Sequence, residues 1–334
     1  MSSRPTGVQK RKGTARPTRR CADSSTTAEA TLIAKQLIDE DPEPTRNVLP
    51  PLWQSFVEDP KAHLTIGLDF GTTKWALAWA FQFEHTTPTN VHIHNIEFAN
   101  DPLQASPIGF WFQEKDGKEE VRIVHGNEVD TNVQAGNIRA EHVIKNFKQS
   151  KLFENAEEVA VSGRKTFLHD LQETHAKILE AVAGKPCYVW HPWCGRRRVK
   201  PIASEEDLAH VLFELILMDT KQALRLESNL SQDQLDEMFG GDKDTTLGRK
   251  IRTGVAAPEI WKRQRELLYR LLTESGWPPF MEILSEGKCA AAMALRDKFD
   301  EIEKLPPKEK AKEIAKYNGK PIHIIDIGGH TLVS

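Results

Sequence analysis

Residues 64–80, LTIGLDFGTTKWALAWA, constrain the fold of this chain more than any other stretch. Leu64, Ile66 and Leu68 alternate as on a half-buried strand, Asp69 closes the run, Gly71-Thr72-Thr73 turns, and Trp75 to Phe83 runs out again as mostly apolar β. The spacing predicts a hairpin with polar chemistry at its tip. Glycine at 71 lets backbone N–H groups approach an anion with no Cβ in the way, and the two threonine hydroxyls add donors. Asp69, at the strand end, is placed to hold a hydrated magnesium ion beside phosphates. Taken alone, the pattern also fits hairpins that turn on Gly and Thr for conformational reasons only.

The 334 residues suffice for about two domains with real cores. A net charge of −3 with 39% hydrophobic residues argues against a nucleic-acid partner and against wholesale disorder. No apolar run approaches the ~20 residues that span a bilayer, so no membrane partner is expected. Four scattered cysteines suit a reducing compartment, and the expected location is cytoplasmic. Residues 1–27 are basic, with Lys10-Arg11-Lys12 and Arg19-Arg20, and read as a disordered tail that leaves a nuclear address open. A short helix over Thr31–Glu40 and a Pro-rich linker complete residues 1–61, so the compact domain is expected to begin at 62.

After the hairpin, Val91–Phe98, Pro107–Phe112 and Val121–Val124 read as strands that extend one sheet to about five members, with a turn at Asp116-Gly117. His92 and His94 share a face, and a solvent-facing pair explains them better than a metal with no third ligand. Ala140–Phe153, which carries Lys145 and Lys148, and Phe167–Ala183 read as amphipathic helices. Cys187, His191 and Cys194 lack a fourth zinc ligand and a familiar spacing, and Arg196-Arg197-Arg198 reads as a basic surface loop suited to a partner. Glu205–Glu227 has the stripe of a long helix, and Asn229–Lys243 reads as a polar connection.

Ile251–Ala257 reads as a strand, Pro258 as the start of a helix capped at Gly276, and Met281–Leu284 as another strand. Glu286 then stands at the mouth of a helix with the small-residue run Ala290–Ala292, either as a cap or as a group orienting a nucleophile or a magnesium-bound water. Finally, strand Pro321–Ile325 runs into Asp326-Ile-Gly328-Gly329-His330-Thr331 and repeats the element strand, Asp, apolar residue, Gly, Thr. Two such elements in related lobes would close on a nucleotide from opposite sides.

The order DFGTT, VAAPEIWKRQRELL, LSEGKCAAA and IIDIGGHT resembles the actin-like ATPase superfamily, and within it a divergent fungal-type relative of the heat shock protein 70 family near the 12A/12B-type branch. The likeness covers residues 64–334 except 188–249. It implies an α/β fold: an actin-like ATPase (ribonuclease H-like) lobe I over 62–320, a mixed sheet flanked by helices with an insert at 188–249, and only the first strand of lobe II over 321–334. It implies a phosphate-1 loop at Asp69, Gly71, Thr72 and Thr73, and a phosphate-2 loop at Asp326, Gly328, Gly329 and Thr331. Glu286 is the implied catalytic glutamate, and the catalytic lysine falls by count near Lys145, with Lys148 as the alternative. ATP and Mg²⁺ are the implied cofactors, with Asp69 and Asp326 reaching the metal through water; protein clients or co-chaperones are the implied partners beside ATP and ADP. Three positions depart from the pattern: His330 replaces a glycine, Val333 an acid and Gly287 a proline.

In the family most of lobe II follows phosphate-2, whereas this chain ends three residues past Thr331. The expectation is a truncated heat-shock-70-like ATP-binding protein whose ancestral ATP hydrolysis is incomplete. A non-catalytic nucleotide-sensing or partner-binding module using Arg196–Arg198 is the alternative from another class. Lys74 after Thr73 suggests a sugar kinase of the same superfamily, against which the KRQRELL helix argues.

Overall fold

Pro51, expected to lie in a rigid linker, instead opens a helix. The computed structural model describes residues 49–86, 91–96, 103–154, 165–240, 247–317, 326–327 and 332–333. In α1 (Pro51–Glu58) a proline stands in the first turn, where its missing N–H costs nothing. Trp53 and Phe56 of this helix are buried against Phe81 at ring separations of 4.8 and 4.9 Å, a contribution on the order of 5 kcal/mol. The packed chain therefore starts ahead of Ala62. The expected helix at 31–40 and the basic tail lie outside the described residues.

β1 (His63–Phe70) and β2 (Lys74–Gln82) pair antiparallel from His63↔Gln82 to Phe70↔Trp75, as the alternation requires. β3 (His94–Asn95) and β4 (Leu103–Ala105) both pair with β2. His94 stacks on Trp79 with ring centroids 4.0 Å apart, which gives it a packing role.

β5 (Ile108–Lys115) and β6 (Lys118–His125) form the expected hairpin, but in a second sheet. After α2 (Asn127–Gln134), residues 140–153 are not the predicted helix. They form three short 3₁₀ turns around β7 (Val143–Ile144), with Asn146 in the left-handed region at φ 52°. α3 (Lys165–Val182) matches its prediction and leads to β8 (Cys187–His191). The arginine run is not a loop but β9 (Gly195–Arg198), paired antiparallel with β8. The second sheet has the order β7-β5-β6-β8-β9 and is mixed, with β6 and β8 parallel.

α4 (Glu205–Ser228), within the expected insert at 188–249, is built into the hydrophobic core. Ser204 caps it by accepting the Asp207 N–H, and its buried positions include Leu208, Leu212, Phe213, Leu215, Ile216 and Leu224. Phe213 meets Phe70 of β1 at 5.2 Å, and the Phe213 carbonyl accepts from Trp277 Nε1 at 3.0 Å. The predicted polar connection after it contains α5 (Gln232–Phe239), closed by a Ser231–Gln234 capping box with Leu235, Met238 and Phe239 buried.

β10 (Ile251–Ala257) then pairs parallel with β1. α6 (Arg263–Glu274) begins five residues after Pro258, and β11 (Met281–Ser285) pairs parallel with β10. The first sheet thus has the order β11-β10-β1-β2-β3, antiparallel on one side of β1 and parallel on the other. α7 (Glu286–Glu303) and α8 (Pro307–Tyr317) follow, then the short antiparallel pair β12 (Asp326–Ile327) and β13 (Leu332–Val333). The fold is α/β, with two mixed sheets flanked by helices. One hydrophobic core runs through α1, both sheets, α4 and α6. Among the described residues no helix is long and apolar enough to cross a membrane.

Candidate functional site

Parallel strands β1, β10 and β11 end on the same side of their sheet, which is where open α/β sheets place ligands. Asp69 is level with Ala256 of β10, and Ala256 with Leu284 of β11. Two strand spacings, about 10 Å, separate the outer members of that row. Asp69 is exposed at the end of β1 while its neighbours Leu68 and Phe70 are buried, so the pleat turns the carboxylate away from the core.

Gly71 is required by close approach. A Cβ there would sit 2.1 Å from the Lys74 carbonyl oxygen, so only glycine closes this turn. Buried Ser106 braces the same turn from outside: its Oγ donates to the Thr72 carbonyl at 2.8 Å and its N–H to the Thr73 carbonyl at 2.9 Å. Among the described residues neither threonine hydroxyl has a hydrogen-bond partner.

Glu286 opens α7 directly after β11, where the helix dipole favours a carboxylate. Lys148 Nζ donates to its Oε1 at 2.5 Å, and the two side chains are only 10% and 15% exposed. Trp261 lies 5.4 Å from the ammonium and is itself stacked on Phe153 at 5.4 Å, which holds the lysine over a fixed aromatic floor. Ser285 caps α7 by accepting the Lys288 N–H, and its hydroxyl also bonds the Glu259 carboxylate, lowering the Glu259 pKa. Cys289 ties the two carboxylates into one neighbourhood. Burial raises its thiol pKa, and the charges of Asp69 and Glu286 raise it further.

Of the two lysines, Lys148 is the one brought to Glu286; Lys145 instead offers its backbone carbonyl to His175 Nε2 at 2.9 Å. On a regular helix the two, three residues apart, would have shared a face. The left-handed Asn146 between them turns them apart, and no sequence count across 140–153 accommodates such a break. Asp326 is described only through its pairing with Val333, and Gly328, Gly329 and Thr331 lie outside the described residues. Glu286 is thus paired with Lys148, while Asp69, Gly71, Thr72 and Thr73 lie at and just past the same end of β1, two strands away in the sheet.

Two other polar clusters lie elsewhere. A cavity of about 540 Å³ is lined by Lys151, Gln172, Glu205, Glu206, Asp207 and His210 among others, none of them from the group above. Its carboxylates are already engaged: Glu205 accepts the Leu152 N–H, Glu206 pairs with Arg270, and Asp207 accepts from Ala203 and Ser204. Deeper in the core, Asp219 of α4 accepts from His125 Nε2 at 2.8 Å and His191 Nε2 at 2.9 Å. Burial opposes its charge, yet His125 and the two hydrogen bonds outweigh it and hold the Asp219 pKa at about 2. The His125 pKa is raised because the Asp219 charge outweighs burial. Nothing in the sequence pattern joins residues so far apart.

Fold and site together define an α/β protein with a polar, glycine-dependent turn and a lysine–glutamate pair at the carboxyl ends of three parallel strands. Residues 53–295 match the N-terminal domain of a family described as a domain of unknown function (DUF8340), and the chain belongs to that family. No curated protein matches the sequence.

Proposed function

We propose that this site binds the phosphates of a nucleotide with magnesium, as the lobe I half of a heat-shock-70-like ATPase of the actin-like superfamily. The observation that carries the reading is the Lys148–Glu286 pair, anchored on Trp261 at the end of the sheet where β1 also ends in Asp69 and the Gly71 turn. The residues fit the implied ligand. The turn cannot hold a Cβ, two threonine hydroxyls have no partner among the described residues, and a lysine and two carboxylates stand at the same strand ends. A mixed sheet with the hairpin at its centre is also the sheet that an actin-like lobe requires, and α6 with its N-cap Lys262 carries the KRQRELL sequence that favours the chaperone branch over a sugar kinase.

Bound magnesium would supply charge neutralisation at the phosphates and an ordered water shell. Within the chain, Asp69 would accept hydrogen bonds from that shell, and Gly71–Thr73 would donate to phosphate oxygens. Lys148 would sit against the charge developing on the transferred phosphoryl group, and Glu286 would orient the attacking water by accepting its proton in a hydrogen bond. Fixing Lys148 between Glu286 and Trp261 removes the entropy of ordering a flexible side chain at the moment of binding.

Isothermal titration of the full chain with Mg-ATP tests this reading. Saturable binding is expected in the wild type, with about tenfold weaker binding in Asp69→Asn. Absence of binding in a folded wild-type chain refutes the proposal. ADP formation that requires a hexose or polyol, with the γ-phosphoryl group carried onto its hydroxyl and no free phosphate released, would move the reading to the sugar kinases.

A further inference from the structure

The second sheet carries on one face a pattern that the nucleotide site does not use. Cross-strand register puts Trp111, Arg122, Tyr188 and Arg198 in a single row over four strands, with Trp190 opposite Arg196 in the next. Directly opposed residues share a face, as do residues two apart, so Lys115, Lys118 and Glu120 belong to the same face. Arg122 lies 5.5 Å from the Trp111 ring and 6.0 Å from that of Trp190, and Arg196 lies 3.8 Å from Tyr188. Trp190 is 48% exposed in mid-strand.

Charge on this face is one-sided. Five cations, Lys115, Lys118, Arg122, Arg196 and Arg198, stand against Glu120, which is held by Arg196 at 2.7 Å. Glu128 of α2 reaches Arg122 only at 4.0 Å. Arg198 has no ion-pair partner among the described residues. Arginines on an edge strand can simply protect it from aggregation, but that does not call for tryptophan and tyrosine interleaved with them. Trp, Tyr and Arg together are the residues that dominate protein interfaces.

We infer that β9 and this face dock an extended acidic segment of another protein, added as a strand along β9 with carboxylates at alternate positions. β9 is the last strand in its sheet's order, and among the described residues no strand pairs with its outer edge, the edge that strand addition would use. A strand added there places every second side chain about 5 Å from Arg196 and Arg198, within reach of charge-assisted hydrogen bonds. Stacked bases are a poorer fit, because one face of each of Trp111, Tyr188 and Trp190 already meets a guanidinium group. A second copy joined through the same face would oppose like charges.

The test uses the full chain and a fluorescein-labelled peptide of about ten residues alternating glutamate with threonine, a length suited to one strand. Its block isomer has the same composition and charge. The alternating peptide is expected to bind saturably, about tenfold more weakly to Arg198→Glu and at raised salt. The block isomer is expected to bind severalfold more weakly. Arg198→Glu removes no side-chain hydrogen bond or ion pair among the described residues, and a thermal melt verifies its fold. The inference is overturned by any of four results: no saturable binding, equal binding by Arg198→Glu, equal binding of the two isomers, or tighter binding of single-stranded oligo(dT) than of the alternating peptide.

Discussion

Replacing Asp219 with asparagine removes the charge at the centre of the buried His125–Asp219–His191 network. The three side chains are 13%, 14% and 5% exposed. His191 Nδ1 accepts the Trp193 N–H at 3.0 Å, so its Nε2 carries the proton given to Asp219. The asparagine oxygen can satisfy that donor, which leaves the amide –NH₂ facing His125 and forces His125 to become neutral and accept. Lowering the Asp219 pKa from 3.8 to about 2 corresponds to about 2 kcal/mol of stability. It is complete above the unfolded value and lost as pH falls through about 2. The His125 contribution has the opposite direction: complete below 6.5, it drains as pH rises through the raised folded value. Losing the ion pair and one charge-assisted hydrogen bond should destabilise Asp219→Asn by about 3 kcal/mol near pH 6. Urea denaturation between about pH 5 and pH 8 reads both effects. Wild-type stability should fall above pH ~6.5, with a limiting slope of about 1.4 kcal/mol per pH unit for one proton, while the variant stays flat or rises. A loss below ~0.5 kcal/mol, or the same slope in both proteins, would refute the argument.

Other perturbations have equally direct readouts. Gly71→Ala places a Cβ 2.1 Å from the Lys74 carbonyl, so the turn must open; a loss of about 2–4 kcal/mol in chemical denaturation is expected, together with loss of Mg-ATP binding. Lys250 is 3% exposed and donates to the Phe56, Val57 and Asp59 carbonyls at 2.8–2.9 Å, closing the end of α1. Lys250→Met should therefore cost about 3 kcal/mol and expose α1 to proteolysis before the rest of the chain; resistance equal to wild type would show that the carbonyls find other donors. In hydrogen exchange, α7, with only Ile302 buried, should exchange well ahead of α4, and Mg-ATP should slow its first turn.

The hairpin, α3, α4, β10 and β11 were legible because each carries a local period and a local stop signal, such as Gly276 at φ 87° after α6. Pairing partners were not. The run Pro107–Phe112 is apolar enough for either sheet, and only the return of β8 beside β6 shows which one it joins. Pro51 and the Asn229–Lys243 stretch misled for a related reason. A proline in the first turn and a Ser-x-x-Gln capping box are start signals as well as breakers, and the buried Trp53, Phe56, Leu235 and Phe239 decide between the two. At the site, Asp69, Gly71 and Glu286 were readable from their places after strands. Lys148 was not separable from Lys145, because the deciding event is a single left-handed residue.

The pair assigned to chemistry also has a mechanical duty. α7 fully buries only Ile302, in its last turn, so the polar part of its attachment lies at its first turn: the Ser285 cap, the Glu259 bond to Ser285, and the salt bridge from Glu286 to Lys148. Removing Lys148 would leave a largely buried carboxylate unpaired and loosen the helix that carries it. Removing Glu286 leaves the ammonium over Trp261, where the ring compensates in part. The two truncations are therefore unequal in stability even if the proposed reaction needs both groups equally. A Lys148→Met, Glu286→Leu double variant, which removes both charges together, separates the roles: stability recovers while binding and turnover do not, because an apolar pair can hold α7 but cannot meet a phosphate.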